Sequence, residues 1–220
     1  MKRCAILLVV AVFAVLLMSC VGLRPNYLIV PGVSVGDIKA DTSEQDLSKM
    51  FLSKNIIPVE LNIGEGESVI GTMIYLNGPK STLAIVWKDP ILKNAPKEVR
   101  FVGEKTMWKT SEGLTLGTTL TEVEELNGKP FKLMGFGWDY EGTFISSKQG
   151  KLSFLDRADT IGYGNNGGKM LIRLQPAKTA DVTSNEELFN TVLGDKEYSS
   201  SLPAMQKINP VVTEMIVYFP

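Results

Sequence analysis

Two glycine clusters in this 220-residue chain share one spacing. Gly64-x-Gly66 is followed by Gly71-Thr72, and Gly135-x-Gly137 by Gly142-Thr143, so both read G-x-G-x₄-G-T at an offset of 71. A helix start lies upstream of each, over 41–47 and 117–123, at an offset of 76. Repeats of this period indicate duplicated small domains, because solenoid periods run about 20–50 residues. The expected fold is α+β, with two tandem helix-plus-antiparallel-sheet repeats. The first covers 37–110, and the second covers 111–220 with a C-terminal extension.

Local chemistry supports the elements. Thr42 with Gln45, or Ser43 with Asp46, can satisfy free N–H groups at the first helix start, and Thr119 with Glu122 forms a capping box at the second. Leu47, Met50 and Phe51 make one apolar face, as do Leu120, Val123 and Leu126. Asn127-Gly128 supplies a left-handed stop with Pro130 beyond it. Strands are expected over 59–63, 69–76, 82–87, 98–102 and 107–110. In the second half they are expected over 131–136, 143–146, 152–155, 169–174 and 211–219. A further helix over 186–193 would be capped by Ser184. Residues 27–30 would add an edge strand.

The apolar residues are unevenly placed. Lys2 and Arg3 precede an unbroken apolar run over 5–18, too short for a membrane span of about 20 residues and suited to a secretory leader. Leu17-Met18-Ser19-Cys20 follows and resembles a bacterial lipobox. The resemblance implies a leader over 1–19, a diacylglyceryl thioether on Cys20 and an acylated new amino terminus. Residues 20–36, with Pro25, Pro31, Gly32 and Gly36, read as a tether. Each buried CH₂ contributes about 0.8 kcal/mol, so several acyl chains together hold firmly. Val21 is not the Asp that favours inner-membrane retention in similar lipoproteins, and no acidic run for surface display follows Cys20. The resemblance therefore implies an outer-membrane anchor facing the periplasm. Without the leader the net charge moves from −1 to −3, and Cys20 is the one cysteine left.

The segment 117–130, GTTLTEVEELNGKP, resembles the helix of small periplasmic lipoproteins of the BamE and SmpA type and is similar to the repeated units of β-lactamase-inhibitor proteins. That likeness covers about 14 residues and implies protein binding without catalysis. The segment 135–140 is more similar to bacterial lipoproteins of uncharacterised activity.

Composition excludes several chemistries. The near-neutral charge offers no basic excess for a nucleic-acid backbone. No histidine is present, which removes Ser-His-Asp and Cys-His catalysis and His-ligated zinc. Ser199-Ser200-Ser201 reads as a loop with no Lys or His placed to activate a serine. Residues 156–168 fit neither a calcium loop nor a phosphate-binding loop. Glu65, Glu67 and Asp139 lie near glycine-rich turns, but nothing sets the separation that glycoside hydrolysis needs. No cofactor or metal is expected.

The candidate contact residues are Met134, Phe136, Trp138 and Tyr140, which alternate with Gly135, Gly137 and Asp139. In a strand they would share one face and form an aromatic platform. The functional expectation is a non-enzymatic outer-membrane lipoprotein that binds a protein or envelope component. The alternatives are a lipid-anchored small-molecule or glycan-binding module, and then a carboxylate-dependent hydrolase. Cys20→Ser is predicted to abolish palmitate labelling and leave an unprocessed or soluble protein. Absence of label on the wild-type chain would refute the anchor.

Overall fold

The computed structural model describes residues 26–64, 66–76, 82–157, 169–177 and 186–220. Cys20, Ser184 and the 77–80 turn lie outside them, as do Glu65 and the glycine run at 162–168.

The fold is mostly sheet and not a pair of helix-plus-sheet repeats. Its largest sheet is six-stranded and antiparallel. It contains β4 (Ile56–Gly64), β5 (Glu67–Ile74), β6 (Thr82–Trp87), β7 (Pro96–Val102), β11 (Met170–Gln175) and β13 (Val211–Tyr218), in the order β11-β13-β7-β6-β5-β4. The C-terminal strand thus pairs with the first half of the chain, through Ile216↔Arg100, Val217↔Val99 and Tyr218↔Glu98. The reason is burial on both faces. Residues 215–218 are all buried, so β13 needs a partner along each edge and takes β7 and β11.

The two copies of the glycine pattern serve different local structures. Gly71 is an extended residue inside β5, where a Cβ would meet the Ile85 carbonyl and the Leu61 side chain. Its counterpart Gly142 sits in a turn at φ +63°, pressed against the Leu174 carbonyl. One residue type serves two different backbone needs, close approach and positive φ.

A second sheet combines β1 (Leu28–Val30), β2 (Ser34–Val35), β3 (Ile38–Lys39) and β8 (Lys109–Thr110) in the order β3-β2-β1-β8. β1 is therefore internal rather than an edge strand, with Ile29 and Val35 in the core. The tether reading of residues 20–36 stops before it. A third sheet joins β9 (Lys132–Met134), β10 (Phe144–Ser146) and β12 (Glu197–Ser199). The expected strand at 152–155 is instead a 3₁₀ turn over Ser153–Leu155. Leu152 and Leu155 both reach the core, and their i, i+3 spacing matches that tighter period.

The helices are short. α1 (Glu44–Met50) carries the Ser43/Asp46 capping box, and α2 (Leu120–Asn127) carries the Thr119/Glu122 box and ends on Gly128 at φ +79°. α3 (Glu186–Asn190) and α4 (Pro203–Ile208) complete the set among the described residues. Helices of this length do not persist alone in water, so tertiary contacts must hold them. Glu44 at the start of α1 accepts from Thr72 Oγ1 and Lys93 Nζ, both at 2.7 Å, and Trp87 Nε1 donates to Thr72 Oγ1 at 2.9 Å. Burial alone would raise the Glu44 carboxyl, but these two donors and the Lys93 charge hold it below its ordinary value.

Asn127, the last residue of α2, does the same work for the following loop. Its Nδ2 donates to Lys129 O at 2.8 Å and Ser147 O at 3.0 Å, and its Oδ1 accepts the Leu152 N–H at 3.1 Å. The side chain is 1% exposed. Asn127→Asp keeps the shape but removes both donations and buries a charge. We predict a loss of about 3 kcal/mol, read as a melting decrease of about 5–10 °C. A change below about 2 °C would contradict this role.

Candidate functional site

Alternation along the large sheet sends one set of side chains to the core and the other to a charged outer face. Val99, Ile172, Met215 and Val217 point inward and are buried. Glu98 and Arg100 on β7, Glu214 and Tyr218 on β13, and Arg173 on β11 share the opposite face. The register sets Glu98 beside Tyr218, Arg100 beside Ile216, and Glu214 beside Arg173.

These residues line a cavity of about 270 Å³. Val86, Leu171 and Ile216 give it an apolar floor, and Lys97 adds a further cation. Its remaining wall comes from the β4–β5 hairpin. That hairpin pairs with β6 only from Thr72 to Ile74, so its outer half runs beyond the sheet. The tip returns over the outer face, where Arg100 Nη1 donates to Asn62 O at 2.5 Å.

The charges are organised in pairs. Arg100 Nε and Nη2 both approach Glu98 Oε1 at 2.6 Å. Arg173 Nε lies 3.1 Å from Glu214 Oε2, and its Nη1 donates to Asp139 O at 3.1 Å. Glu98 and Glu214 are four residues apart in register, about 14 Å along the strands. Each is turned to its own arginine. Burial and the neighbouring Glu98 charge push the Tyr218 phenol up to about 12, so it remains a neutral donor. Arg157 lies near enough to Tyr218, Arg173 and Tyr140 to sense all three, and burial lowers its guanidinium from the ordinary value.

The four alternating residues do not form one face. Met134 and Phe136 are core residues at 2% and 1% exposure, and Phe136 stacks on Phe189 at 5.7 Å. Gly137 at φ +86° then ends the extended run, and 137–142 forms a turn. Trp138 is 61% exposed on that turn, while Tyr140 is half-buried. The turn is pinned at several points. Glu141 accepts from the Gly137 N–H at 2.8 Å and from Gln175 Nε2 at 3.0 Å, Leu174 N–H donates to Gly142 O at 2.9 Å, and Arg173 holds Asp139. Arg173 therefore belongs to both the cavity and the Trp138 turn. The other two tryptophans, Trp87 and Trp108, are buried at 3% and 2%.

Ser200 is fully buried, accepts from the Phe131 N–H and donates to the Glu124 carboxylate. Glu67 and Asp139 are exposed. Among the described residues, no three His, Cys, Asp or Glu side chains converge as metal ligands.

Sequence reasoning missed the charged face. Its signal was Glu98 and Arg100 at alternate positions of β7, with Arg173 and Glu214 each the single charged residue of another strand. Comparisons with protein families, with characterised proteins and with solved structures found no match to this chain.

Raising the pH tests the Tyr218 environment. Its folded-state proton is held more tightly than in the unfolded chain, so the stabilisation is intact below about pH 10 and lost as pH rises through about 12. Wild type should lose about 2–3 kcal/mol across that window, and Tyr218→Phe should lose correspondingly less. Equal losses in denaturant titrations of both proteins would contradict this placement.

Proposed function

We propose that this chain is a non-enzymatic, lipid-anchored outer-membrane protein that captures a protein or envelope component in the periplasm. The anchor is the acylated Cys20. The observation that carries the reading is Trp138, a large aromatic left 61% exposed on a turn fixed by four separate hydrogen bonds. An indole that loses little freedom on contact suits a binding anchor. The adjoining cavity offers arginine, glutamate and phenol groups to a polar side chain from the partner. At about 270 Å³ it falls at the lower margin of ligand pockets, which run about 300–1,000 Å³ and are mostly apolar. A partner's side chain suits it better than a free small molecule.

The test uses native envelopes. A photo-reactive amino acid at position 138 should yield a discrete protein adduct, and one at Lys207 should not. Trp138→Ala should then weaken capture of that protein by about 2 kcal/mol or more, the scale of an interface hot spot. Its melting temperature should stay within about 2 °C of wild type, as for a surface substitution. A glycan adduct would favour the small-ligand alternative. A large melting loss with capture intact in the folded fraction would refute the contact role.

A further inference from the structure

The four-stranded sheet has an outward face that the binding reading does not use. Register places its side chains without ambiguity. Leu28 lies opposite Lys109, Val30 opposite Ser34, and Ser34 opposite Lys39. All of these point away from the core, because the alternate residues Ile29, Val35, Ile38 and Thr110 are buried. Leu28 and Val30 are 41% and 38% exposed, Val33 in the adjoining turn is 58% exposed, and Met107 just before β8 is 50% exposed. Lys39 and Lys109 are exposed beside them, and no acidic residue stands in the four strands. The outward face of the strands is therefore aliphatic with two lysines, and the exposed Asp37 and Asp41 stand on either side of β3.

The chain itself limits what can cover this face. Asn26, exposed, lies two residues before the start of β1, and six residue steps separate it from Cys20. An extended chain covers at most about 3.3–3.6 Å per residue, so the start of β1, eight steps from Cys20, lies within about 29 Å of a lipidated Cys20. We propose that the outward face of the four-stranded sheet rests on the bilayer, with Leu28, Val30, Val33 and Met107 in the interface and Lys39 and Lys109 on anionic headgroups. This inference rests on the acylated-Cys20 reading.

The proposal also orients the molecule. Trp108 joins this sheet to the core face of the large sheet, with its ring 5.1 Å from Tyr27 and 6.0 Å from Phe101. Val102, the residue after Phe101, is on the opposite side of β7 with Glu98 and Arg100 and is 37% exposed. Seating the small sheet on the membrane turns the charged cavity toward the periplasm.

Full-length lipidated protein can be tested in vesicles of phosphatidylethanolamine and phosphatidylglycerol at a ratio of about 3:1, a composition that supplies anionic headgroups. With Cys4 removed in the leader and Cys20 in thioether linkage, an introduced cysteine is the one reactive thiol. An environment-sensitive fluorophore on Val33→Cys or Met107→Cys should shift to the blue. Spin-labelled lipids should quench it several-fold more than the same probe on Val102→Cys. Adding Lys39→Glu with Lys109→Glu should reduce that quenching. If the protein floats with vesicles while positions 33 and 107 are quenched no more than 102, the docked face is wrong and the anchor stands. A blue shift without lipid quenching means that a second copy covers the face, which also overturns the proposal. Failure to float or to take up palmitate overturns the anchor reading and this inference with it.

Discussion

The pairing of β7 with β13 is the constraint on which the rest of the structure depends. It joins residues more than a hundred positions apart and gives β11 a place in the same sheet. Such a contact carries a high loop-closure cost, offset here by burial on both faces. The core face gains Val99, Met215 and Val217, and the outer face gains Ile216, Leu171 and Tyr218. The charged cavity exists only because the same pairing brings Glu98 and Arg100 beside Glu214 and Arg173. Fold and site therefore share one cause.

Strands were legible where alternation or an apolar run stated them locally. β6 has the expected bounds, β13 lies within one residue of them, the Thr119/Glu122 capping box forms, and of the two pairs offered at the first helix start Ser43 with Asp46 makes the cap. What the sequence concealed was partnership. Nothing in the apolar run at 211–219 says that it pairs with 98–100, because the run is consistent with any buried neighbour. The glycine repeat misled for a related reason. Gly71 and Gly142 answer to different neighbours, a close strand and a left-handed turn, and the letter is the same. Trp138 was legible as a contact candidate, but Met134 and Phe136 were not separable from it until Gly137 was seen to break the strand.

The two faces of the molecule have complementary chemistry. The small sheet presents aliphatic side chains and two lysines next to the point where the chain leaves toward Cys20. The large sheet presents paired charges, a neutral phenol and a pinned turn bearing an exposed indole on the other side of Trp108. Under the proposed reading, the anchor and the contact surface would not compete for the same side.

Native-state hydrogen exchange tests the shared sheet most directly. If β7 and β13 are one cooperative seam, the amides of Val99 and Arg100 and those of Ile216 and Val217 exchange through the same global opening, with equal free energies and equal denaturant dependence. Opening of residues 169–218 at a lower free energy, with 82–102 still protected, would show that the last strands are an appendage, and would contradict the account.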